Sequence, residues 1–522
     1  MISKTNQRKW GASLSYIQMA LNIIIGFIYT PIMIRLLGDS EYGLYNTVAS
    51  TIAMLSVLNL GFNSSYVRYY TKYKEENDKE SIAKLNGLFL IVLSVLGLVA
   101  LVCGLFLTFN LDLVFDEGLT AQEYEIAKVL MFLLTLNLAL SFPMGTFSSI
   151  ISTHENYIVL QLLGMLKTVV GPLVTIPILL MGFRSIAIVS VTLGVSLITD
   201  TVYFIYVRFK LKQKFIFHSF EKGIFKSLFI YTSFIAISII VDQINLNVDK
   251  FLLGRFKGTI AVSIYSVGYS LYSYYSTFSS SISGVFTPKV HKIVVSSNNE
   301  TNLKSELTSI FIRIGRIQFL IVALIASGMV FFGKPFIHYW AGEGYEESYY
   351  VMLLLVLPSS IALIQKLGLE IQRALNRHKF RSITYLIMAV GNLILSIFLC
   401  QKYGAIGATI GTAISLLLAQ GLTMNIYYHK KCYIDIISFW KNILRMSLGL
   451  ILPIGAGSIL NYFVDLYNIW YLFGSIIIYS IVYCISMWFI GMNDYEKNLI
   501  KKPIKKIFNF IKYKFIIRKK NI

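Results

Sequence analysis

The sequence of 522 residues is 56% hydrophobic, has a mean hydropathy of +0.66 and has a formal net charge of +21 at pH 7. A soluble core of this size could not bury so much apolar surface, so the composition excludes an ordinary soluble protein and makes lipid the solvent for most of the chain. The positive charge does not indicate a nucleic-acid partner, because the basic residues lie between apolar runs and not on a soluble face.

Apolar runs of about 20 residues, the length that crosses a hydrocarbon core of roughly 30 Å, recur along the whole chain. Their Gly, Pro and charged boundaries predict helices at residues 12–34, 44–66, 86–109, 127–150, 158–181, 186–207, 224–247, 259–283, 312–332, 349–372, 380–400, 404–428, 440–462 and 467–490. The first run is too long for a signal peptide and lacks a small-residue cleavage site, so we expect it to be retained. We therefore predict an all-α polytopic membrane protein with 14 transmembrane helices.

The Lys and Arg residues are distributed unevenly between the two sides of these spans. About 37 of the 47 lie in both terminal segments and in the connections on one side, and about eight lie on the other side. The remaining two, Lys167 and Lys366, lie within spans. Because Lys and Arg in short loops mark the cytoplasmic side, we predict that both termini are cytoplasmic.

A weak internal repeat relates the first six predicted helices to the second six. Landmarks recur at offsets of 216, 224 and 222 residues: Leu36-Leu37-Gly38 with Leu252-Leu253-Gly254, His154 with His378, and Gly182 with Gly404. Such repeats are common in transporters, so we predict two pseudo-symmetric six-helix lobes plus two extra C-terminal helices. The predicted domains are an N-terminal lobe at 1–210, a C-terminal lobe at 211–430, helices 13 and 14 at 431–492, and a basic cytoplasmic tail at 493–522.

The tail interleaves basic residues with Ile, Phe and Tyr. Ile504, Ile507, Phe508 and Ile511 fall on one helical face, and such a segment would lie on the anionic inner leaflet of the bilayer. A solvated tail that only follows the charge rule for cytoplasmic segments explains the composition equally well.

The connection after the first helix contains the most specific pattern in the sequence. It reads Pro31, then Arg35-Leu36-Leu37-Gly38, then Glu41-Tyr42-Gly43-Leu44-Tyr45, with weaker matches at 247–254 and 336–343. These residues resemble the polysaccharide-exporter (Wzx-type) flippases for O-antigen, capsule and exopolysaccharide, in the superfamily that also holds multidrug (MATE) exporters and the lipid II flippase. Fourteen predicted helices favour this branch, since drug exporters of the superfamily generally have twelve.

The resemblance implies a flippase in a bacterial cytoplasmic (inner) membrane, with two six-helix lobes around a central cavity and alternating access. Its implied cargo is an undecaprenyl-diphosphate-linked oligosaccharide for surface polysaccharide biosynthesis. The implied further partners are the lipid bilayer, a polysaccharide polymerase and assembly proteins, with no nucleic acid.

Charged side chains at bilayer depth are costly and usually face a partner or a wet cavity. Lys167 in helix 5 is the first candidate to bind the diphosphate of the cargo by charge-assisted hydrogen bonds, and a structural ion pair is its alternative role. Arg35, at the outer end of helix 1, and Arg68, at the inner end of helix 2, are further substrate-binding candidates. Arg35 is alternatively an interface anchor, and Arg68 a topology determinant.

Helix 7 ends in an unusually polar stretch. Asp242, Asn245 and Asp249 share a helical face at i, i+3 and i+7, which could bind sugar hydroxyls, while a carboxylate there could take up a proton or Na⁺. We assign Asn245, Asp249 and Lys250 to the substrate-binding candidates and Asp242 to the ion-coupling candidates. For Asp249 and Lys250 the alternative is that they are ordinary charges at a loop edge.

Helix 10 contains Lys366 and Glu370 at i, i+4, a spacing that suits a mutual salt bridge. Both are further ion-coupling candidates, with a purely structural pair as the alternative.

Two other functions remain open from the sequence. A cation-coupled multidrug or metabolite exporter would need an essential buried carboxylate. A membrane oligosaccharide polymerase or ligase would need a large outer loop, whereas the longest predicted outer loops have only about 17 residues, so we predict a transporter and not an enzyme. No Gly-rich phosphate loop appears, the four cysteines have no metal-ligand spacing, and we expect neither a cofactor nor a metal.

Overall fold

The computed structural model describes residues 4–115, 119–220, 223–284, 286–296, 299–377, 379–499 and 501–502, and these residues form helices and turns without a β-strand. The helices are α1 Lys4–Leu37, α2 Asp39–Met54, α3 Phe62–Glu75, α4 Lys79–Phe109, α5 Ala121–Thr153, α6 Tyr157–Leu180, α7 Arg184–Ile205, α8 Ile224–Lys257, α9 Thr259–Gly284, α10 Thr287–Ser296, α11 Glu300–Ala341, α12 Glu346–Ile364, α13 Leu367–Ala374, α14 Lys379–Leu416, α15 Met424–Lys431, α16 Ile436–Ser447, α17 Ile451–Phe463 and α18 Ile469–Ser486. The amphipathic face predicted at 504–511 lies outside the described residues.

Several helices begin at side chains that satisfy the otherwise unpaired N–H groups of the first turn. Asp78 accepts hydrogen bonds from the backbone of Glu80 and Ser81 at the start of α4. The Ser81 hydroxyl also donates to Asp78, and mainly for this reason the pKa of Asp78 is below its usual value. The Asp78 cap thus fixes where α4 begins, just before its apolar run.

Ten helical segments of the described chain are long and apolar enough to cross a membrane. One of them, 379–431, turns at Gly404 (φ 57°, ψ −135°) and therefore contains two of the predicted spans. The predicted spans 44–66, 224–247 and 259–283 are not among the ten, although helices α2, α3, α8 and α9 occupy them. The predicted fold class, an all-helical polytopic membrane protein, is confirmed.

The second predicted span, 44–66, is wrong as a continuous helix. Helix α2 ends at Met54, a 3₁₀ turn follows at Leu55–Asn59, and Leu60 and Gly61 adopt left-handed conformations with φ of 49° and 72° before α3 begins. A Cβ atom at position 61 would come within 2.4 Å of a side-chain methyl of Ile235 on α8. Glycine is therefore required there for both its backbone conformation and its size.

The tenth predicted span is also interrupted. Residues 349–372 are divided between α12 and α13 by a turn at Gln365 and Lys366.

The turns at the ends of corresponding helices refine the predicted repeat. Gly182 and Gly404 both have positive φ, as their predicted correspondence requires. Gly38 (φ 78°, ψ 168°) corresponds in conformation to Gly258 (φ 79°, ψ −178°) and not to Gly254, which lies inside α8 against Thr47. The offset for this pair is therefore 220 residues, close to the 222 of the other glycine pair. His378 lies outside the described residues.

The chain divides into two compact units. Unit 1 comprises the described residues of 1–274, 340–355 and 380–415, and unit 2 those of 275–339, 356–379 and 416–522. The domain boundaries at residues 210, 430 and 492 stay a prediction.

Each unit has its own apolar clusters. Those of unit 1 centre on Phe89 and Leu93, on Leu44 and Leu130, and on Val248 and Tyr265. Those of unit 2 centre on Met446 and Met487, and on Phe332 and Tyr479. Large apolar side chains such as Leu98, Val102, Leu173, Phe463 and Trp470 are each more than half exposed, as expected of surfaces that face lipid.

Candidate functional site

Asp249 is a buried carboxylate in unit 1. It lies on α8, two turns before the predicted outer end of that helix, and only 3% of it is exposed. Its Oδ2 accepts hydrogen bonds from Tyr265 Oη on α9 (3.0 Å) and from Thr412 Oγ1 on α14 (2.7 Å). Its Oδ1 is buried without a hydrogen-bond partner among the described residues. A buried unsatisfied carboxylate oxygen is costly, so this atom marks a place where a proton or a cation would bind favourably.

Further oxygen atoms surround this carboxylate. Asn392 Nδ2 donates to Thr412 Oγ1 (3.2 Å), and Ser396 Oγ lies 3.2 Å from Asn392 Oδ1 and 3.3 Å from the carbonyl oxygen of Ala408. All three side chains belong to α14, on the two sides of its turn at Gly404. We call Asp249, Tyr265, Asn392, Ser396 and Thr412 the Asp249 network.

The two halves of α14 approach closely because Gly411 has no side chain. A Cβ atom at position 411 would lie 2.8 Å from Ser396 Oγ and 3.1 Å from Asn392 Oδ1. The turn and this glycine together bring residues that are 16 or 20 positions apart in sequence to one carboxylate.

The donor set indicates which ion the network fits. It supplies one carboxylate together with neutral hydroxyl, amide and carbonyl oxygens, which are ligands for hard cations. No group of three or more His, Cys, Asp or Glu residues that could hold a metal occurs in the described part of the chain. A single negative charge balances a proton or a monovalent cation such as Na⁺, and not a divalent one.

Lys250 follows Asp249 in sequence but contacts a different partner. Its Nζ donates to Asn46 Oδ1 on α2 at 3.4 Å and lies 5.0 Å from the centre of the Tyr269 ring. The cation is thus stabilised by an amide oxygen and an aromatic face. Lys250 therefore joins α8 to α2 and α9 within unit 1.

The other two residues of the predicted polar face do not reach the network. Asn245 is half-buried, and Asp242 is exposed and interacts electrostatically with Tyr385 of α14. Since the three residues occupy successive turns of α8, they share a face but lie at different depths. Of the three, Asp249 is the buried one, with Tyr265 and Thr412 donating to its carboxylate.

Lys167 lies near the middle of α6 and is exposed. It forms no ion pair or hydrogen bond within the described chain, although Asp200 on α7 is near enough to interact electrostatically. The next residue, Thr168, donates to Asn22 Oδ1 on α1 at 2.7 Å. A lysine at mid-span that is exposed must face water or polar head groups, because contact of its ammonium group with lipid tails is too costly.

Arg35 and Arg68 are both exposed, in the last turn of α1 and on α3 respectively. Their proposed contact with substrate stays a prediction.

Glu370 and Lys366 lie in unit 2. Glu370 is half-buried and forms an ion pair with Arg373 at 2.8 Å, one turn later on α13. Lys366, its predicted partner, lies in the turn that separates α12 from α13.

The sequence motif after the first helix has a structural role that the sequence alone did not reveal. Glu41 is 5% exposed, forms an ion pair with Arg184 Nε (2.8 Å) and accepts a hydrogen bond from the backbone N–H of Ser185 (2.8 Å). Asp39 Oδ1 accepts a hydrogen bond from Tyr345 Oη (2.7 Å). The motif therefore fastens the turn between α1 and α2 to the starts of α7 and α12.

The second glycine of this motif, Gly43, is constrained by close packing against α9. A Cβ atom at Gly43 would lie 1.8 Å from the carbonyl oxygen of Thr259, the first residue of α9. Ser40 Oγ lies 2.8 Å from Thr259 Oγ1. These contacts explain why positions 40 and 43 of the motif hold small residues.

Comparison with known sequences matches the chain to proteins of polysaccharide biosynthesis. A family model described as "Polysaccharide biosynthesis protein" matches residues 9–294. A Shigella flexneri protein named "Putative O-antigen transporter" is 20% identical over 417 residues, which cover 79% of this chain and 96% of that protein.

Two solved structures share the fold of this chain. The structure titled "Lipid II flippase MurJ, inward closed conformation" has a TM-score of 0.63 at 19% identity. The superposition covers 91% of this chain and 97% of the MurJ chain. An inward-facing multidrug resistance MATE family transporter has a TM-score of 0.55 at 15% identity, with coverage of 81% and 96%. At these identities the likeness is one of fold.

Proposed function

Because the chain belongs to the polysaccharide biosynthesis protein family, whose model matches more than half of it, we propose that it is a flippase. The proposed activity moves an undecaprenyl-diphosphate-linked oligosaccharide from the cytoplasmic to the outer leaflet of a bacterial cytoplasmic membrane by alternating access. The family match is the observation that carries the proposal. The named O-antigen transporter, of which the alignment covers 96%, supports it.

The fold supports transport as the class of activity. The chain shares its fold with a lipid II flippase and with a MATE transporter, and the prediction of a transporter and not an enzyme agrees with these relatives. In this proposal both termini are cytoplasmic, and a polymerase and assembly proteins use the exported product.

Lys167 is the proposed contact for the diphosphate. An exposed ammonium group at mid-span that forms no ion pair or hydrogen bond within the described chain is available for charge-assisted hydrogen bonds to phosphate oxygens. Thr168 and Asn22 beside it provide hydroxyl and amide groups for sugar hydroxyls. The polyprenyl tail would stay in lipid while the head group crosses.

The Asp249 network is the proposed coupling site. Its unpaired Oδ1 and the surrounding neutral oxygens suit a proton or a monovalent cation. Binding there can drive transport only if the affinity differs between inward-open and outward-open states. This changes the assignment of Asp249 from substrate binding to ion coupling.

The test is the amount and sidedness of lipid-linked oligosaccharide in cells that lack the protein or produce Lys167→Ala. We expect build-up in the cytoplasmic leaflet in both cases. Lys402→Ala, which removes an exposed lysine at the predicted outer end of α14's first half, is the matched control and should export normally.

Other results would redirect the proposal. Normal export in the deletion strain, with no second flippase present, would contradict it and favour a multidrug or metabolite exporter. A defect in the deletion strain that Lys167→Ala does not share, at equal expression, would keep the function and exclude the lysine from the transport path.

A further inference from the structure

A cavity of about 680 Å³ lies within unit 2, between the first part of α11, the start of α16 and the segment after α18. We call it the α11–α16 pocket. All three segments are at ends that the charge distribution predicts to be cytoplasmic. The pocket therefore lies at the predicted level of the inner-leaflet head groups.

The charged residues that line the pocket are Lys304, Arg313, Arg316 and Asp435. Arg316 is neutralised by Glu496, at 2.6 Å. Asp435 is used as the N-cap of α16, where it accepts hydrogen bonds from the backbone of Ile437 and Ser438 and from the Ser438 hydroxyl. Two cations therefore remain to be accounted for.

Neither Lys304 nor Arg313 has a carboxylate partner within the described chain. Arg313 instead stacks its guanidinium group over the Tyr495 ring, 4.4 Å from the ring centre. Stacking leaves the N–H groups at the edge of the guanidinium plane available, because the aromatic face occupies only one side of it. Exposed hydroxyls of Thr301 and Ser309 line the same cavity.

Two unpaired cations and several hydroxyl donors around one cavity are the chemistry that recognises a phosphate group. The apolar surroundings indicate that this phosphate belongs to a lipid. Leu444 on α16 and Phe489 just after α18 are 70% and 75% exposed, and both lie further along the predicted spans. Acyl chains could follow these surfaces while the head group occupies the pocket.

We propose that the α11–α16 pocket binds the phosphate head group of an anionic glycerophospholipid of the cytoplasmic leaflet. Basic pockets between transmembrane helices on the cytoplasmic side are suited to such lipids. The bound lipid would join α11, α16 and the segment after α18 through Lys304 and Arg313, which have no carboxylate partner among the described residues. The inference does not depend on the cargo of the transporter.

The test is the binding of dioleoylphosphatidylglycerol to the purified full-length protein in mild detergent, measured by native mass spectrometry. Lys304→Ala/Arg313→Ala should weaken the binding of the first lipid by roughly tenfold or more, since it removes both cations that would donate charge-assisted hydrogen bonds to the phosphate. Lys430→Ala/Lys441→Ala removes two exposed cations of the same predicted face outside the pocket. This control should bind the lipid within about twofold of the unmodified protein, because its pocket is intact.

A second variant separates the pocket from general electrostatics. Ser309→Phe fills the cavity without changing the charge and should weaken binding as the double variant does. Equal loss of binding in the control pair, or unchanged binding in both pocket variants, would overturn the proposal.

Two further ligands distinguish the source of the phosphate. Dioleoylphosphatidylcholine, which has no net charge, should bind less tightly at this site. Glycerol 3-phosphate, which has no acyl chains, should not displace the bound lipid at comparable concentration. Displacement by it would indicate a soluble phosphate ligand and contradict the assignment to a lipid.

Discussion

Glu496 in unit 2 and Asp249 in unit 1 are equally inaccessible, at 2% and 3% exposure, but their surroundings are opposite. Both carboxylate oxygens of Glu496 are paired, since Arg316 donates to each of them, at 2.6 and 2.9 Å, and the backbone N–H of Asn493 donates to one (2.9 Å). Asp249 has two donors on one oxygen and none on the other. The comparison shows how a satisfied ion pair, which fixes structure, differs from a carboxylate that retains capacity for a ligand.

Arg316 strengthens this contrast because two more of its N–H groups are also used. They donate to the carbonyl oxygens of Asn442 (3.2 Å) and Gly491 (2.9 Å). The pair therefore joins α11 to α16 and to the end of the last span. Nothing in this arrangement is left for a transported ion.

The largest effect on stability is expected from breaking the satisfied pair. Arg316→Ala would leave Glu496 charged and buried without its partner, which should lower the free energy of unfolding by about 3–5 kcal/mol. Thermal unfolding of the purified protein in mild detergent measures this. The double variant Arg316→Met/Glu496→Leu should recover much of the lost stability. If Arg316→Ala is as stable as the unmodified protein, the pair has no structural role.

Asp249→Asn should act on transport and not on folding. Replacing the carboxylate with an amide removes the negative charge that a coupling cation requires, so export of lipid-linked oligosaccharide should fall by roughly tenfold or more. Na⁺ or protons should stabilise the unmodified protein by about 1.4 kcal/mol at ten times the dissociation constant, and its melting temperature should rise accordingly. The variant should lose this dependence.

Asp465→Asn, in a connection of unit 2, is the matched control for Asp249→Asn, since it makes the same chemical change at an exposed residue. It should keep both export and ion dependence. If Asp249→Asn exports normally and still responds to the ion, Asp249 is a structural residue and the comparison with Glu496 loses its functional meaning.

Thr412→Val should have an intermediate effect. It removes the 2.7 Å hydrogen bond to Asp249 Oδ2 while Tyr265 still donates to that oxygen, so a stability loss of about 1–2 kcal/mol is expected together with a weaker ion response. Thr412→Ser restores the hydroxyl and should restore the ion response. A valine variant with an unchanged ion response would place the ion away from Thr412.

The smallest effect concerns a third carboxylate, Asp435, which is half-buried in unit 2 and caps α16. The Ser438 hydroxyl, together with backbone N–H groups, holds the pKa of Asp435 below its usual value. The stabilisation is therefore complete above the unfolded-state pKa of about 3.9 and is lost as the pH falls through the lower folded-state pKa.

Asp435→Ala should lower the free energy of unfolding by about 1 kcal/mol at pH 7. Asp435→Asn keeps a neutral cap and should show no such loss below pH 4. Unfolding midpoints at pH 7 and pH 3 distinguish the three proteins, and equal pH dependence of the aspartate and asparagine forms would contradict the assignment.

The sequence predicted the parts of the fold that depend on long apolar runs. The run in α4 is such a case, because composition alone determines where it can lie. The interruptions at Leu55–Gly61 and at Gln365 and Lys366 were missed, since both lie in stretches whose average hydropathy resembles that of a continuous helix. Gly61 was the available signal for the first of them.

The candidate site was predictable only through its charged member. Asp249 was singled out as a charge in the polar stretch that ends the seventh predicted helix, whereas Asn392, Ser396 and Thr412 are small polar residues of a kind that many membrane helices contain. Their convergence depends on the turn at Gly404 and on the missing side chain of Gly411. Those are features of tertiary packing that a single sequence does not reveal.

The interruption between α2 and α3 has a mechanical consequence. A continuous helix transmits rotation along its whole length, whereas α2 and α3 are two short rods joined at Leu60 and Gly61, each with backbone dihedral angles outside the helical region. A change in these few angles would swing α3 while the packing of α2 around Leu44 and Val48 stays in place. Any bending within the second predicted span is therefore expected at Leu60 and Gly61, where amide hydrogen exchange should be fastest within that span.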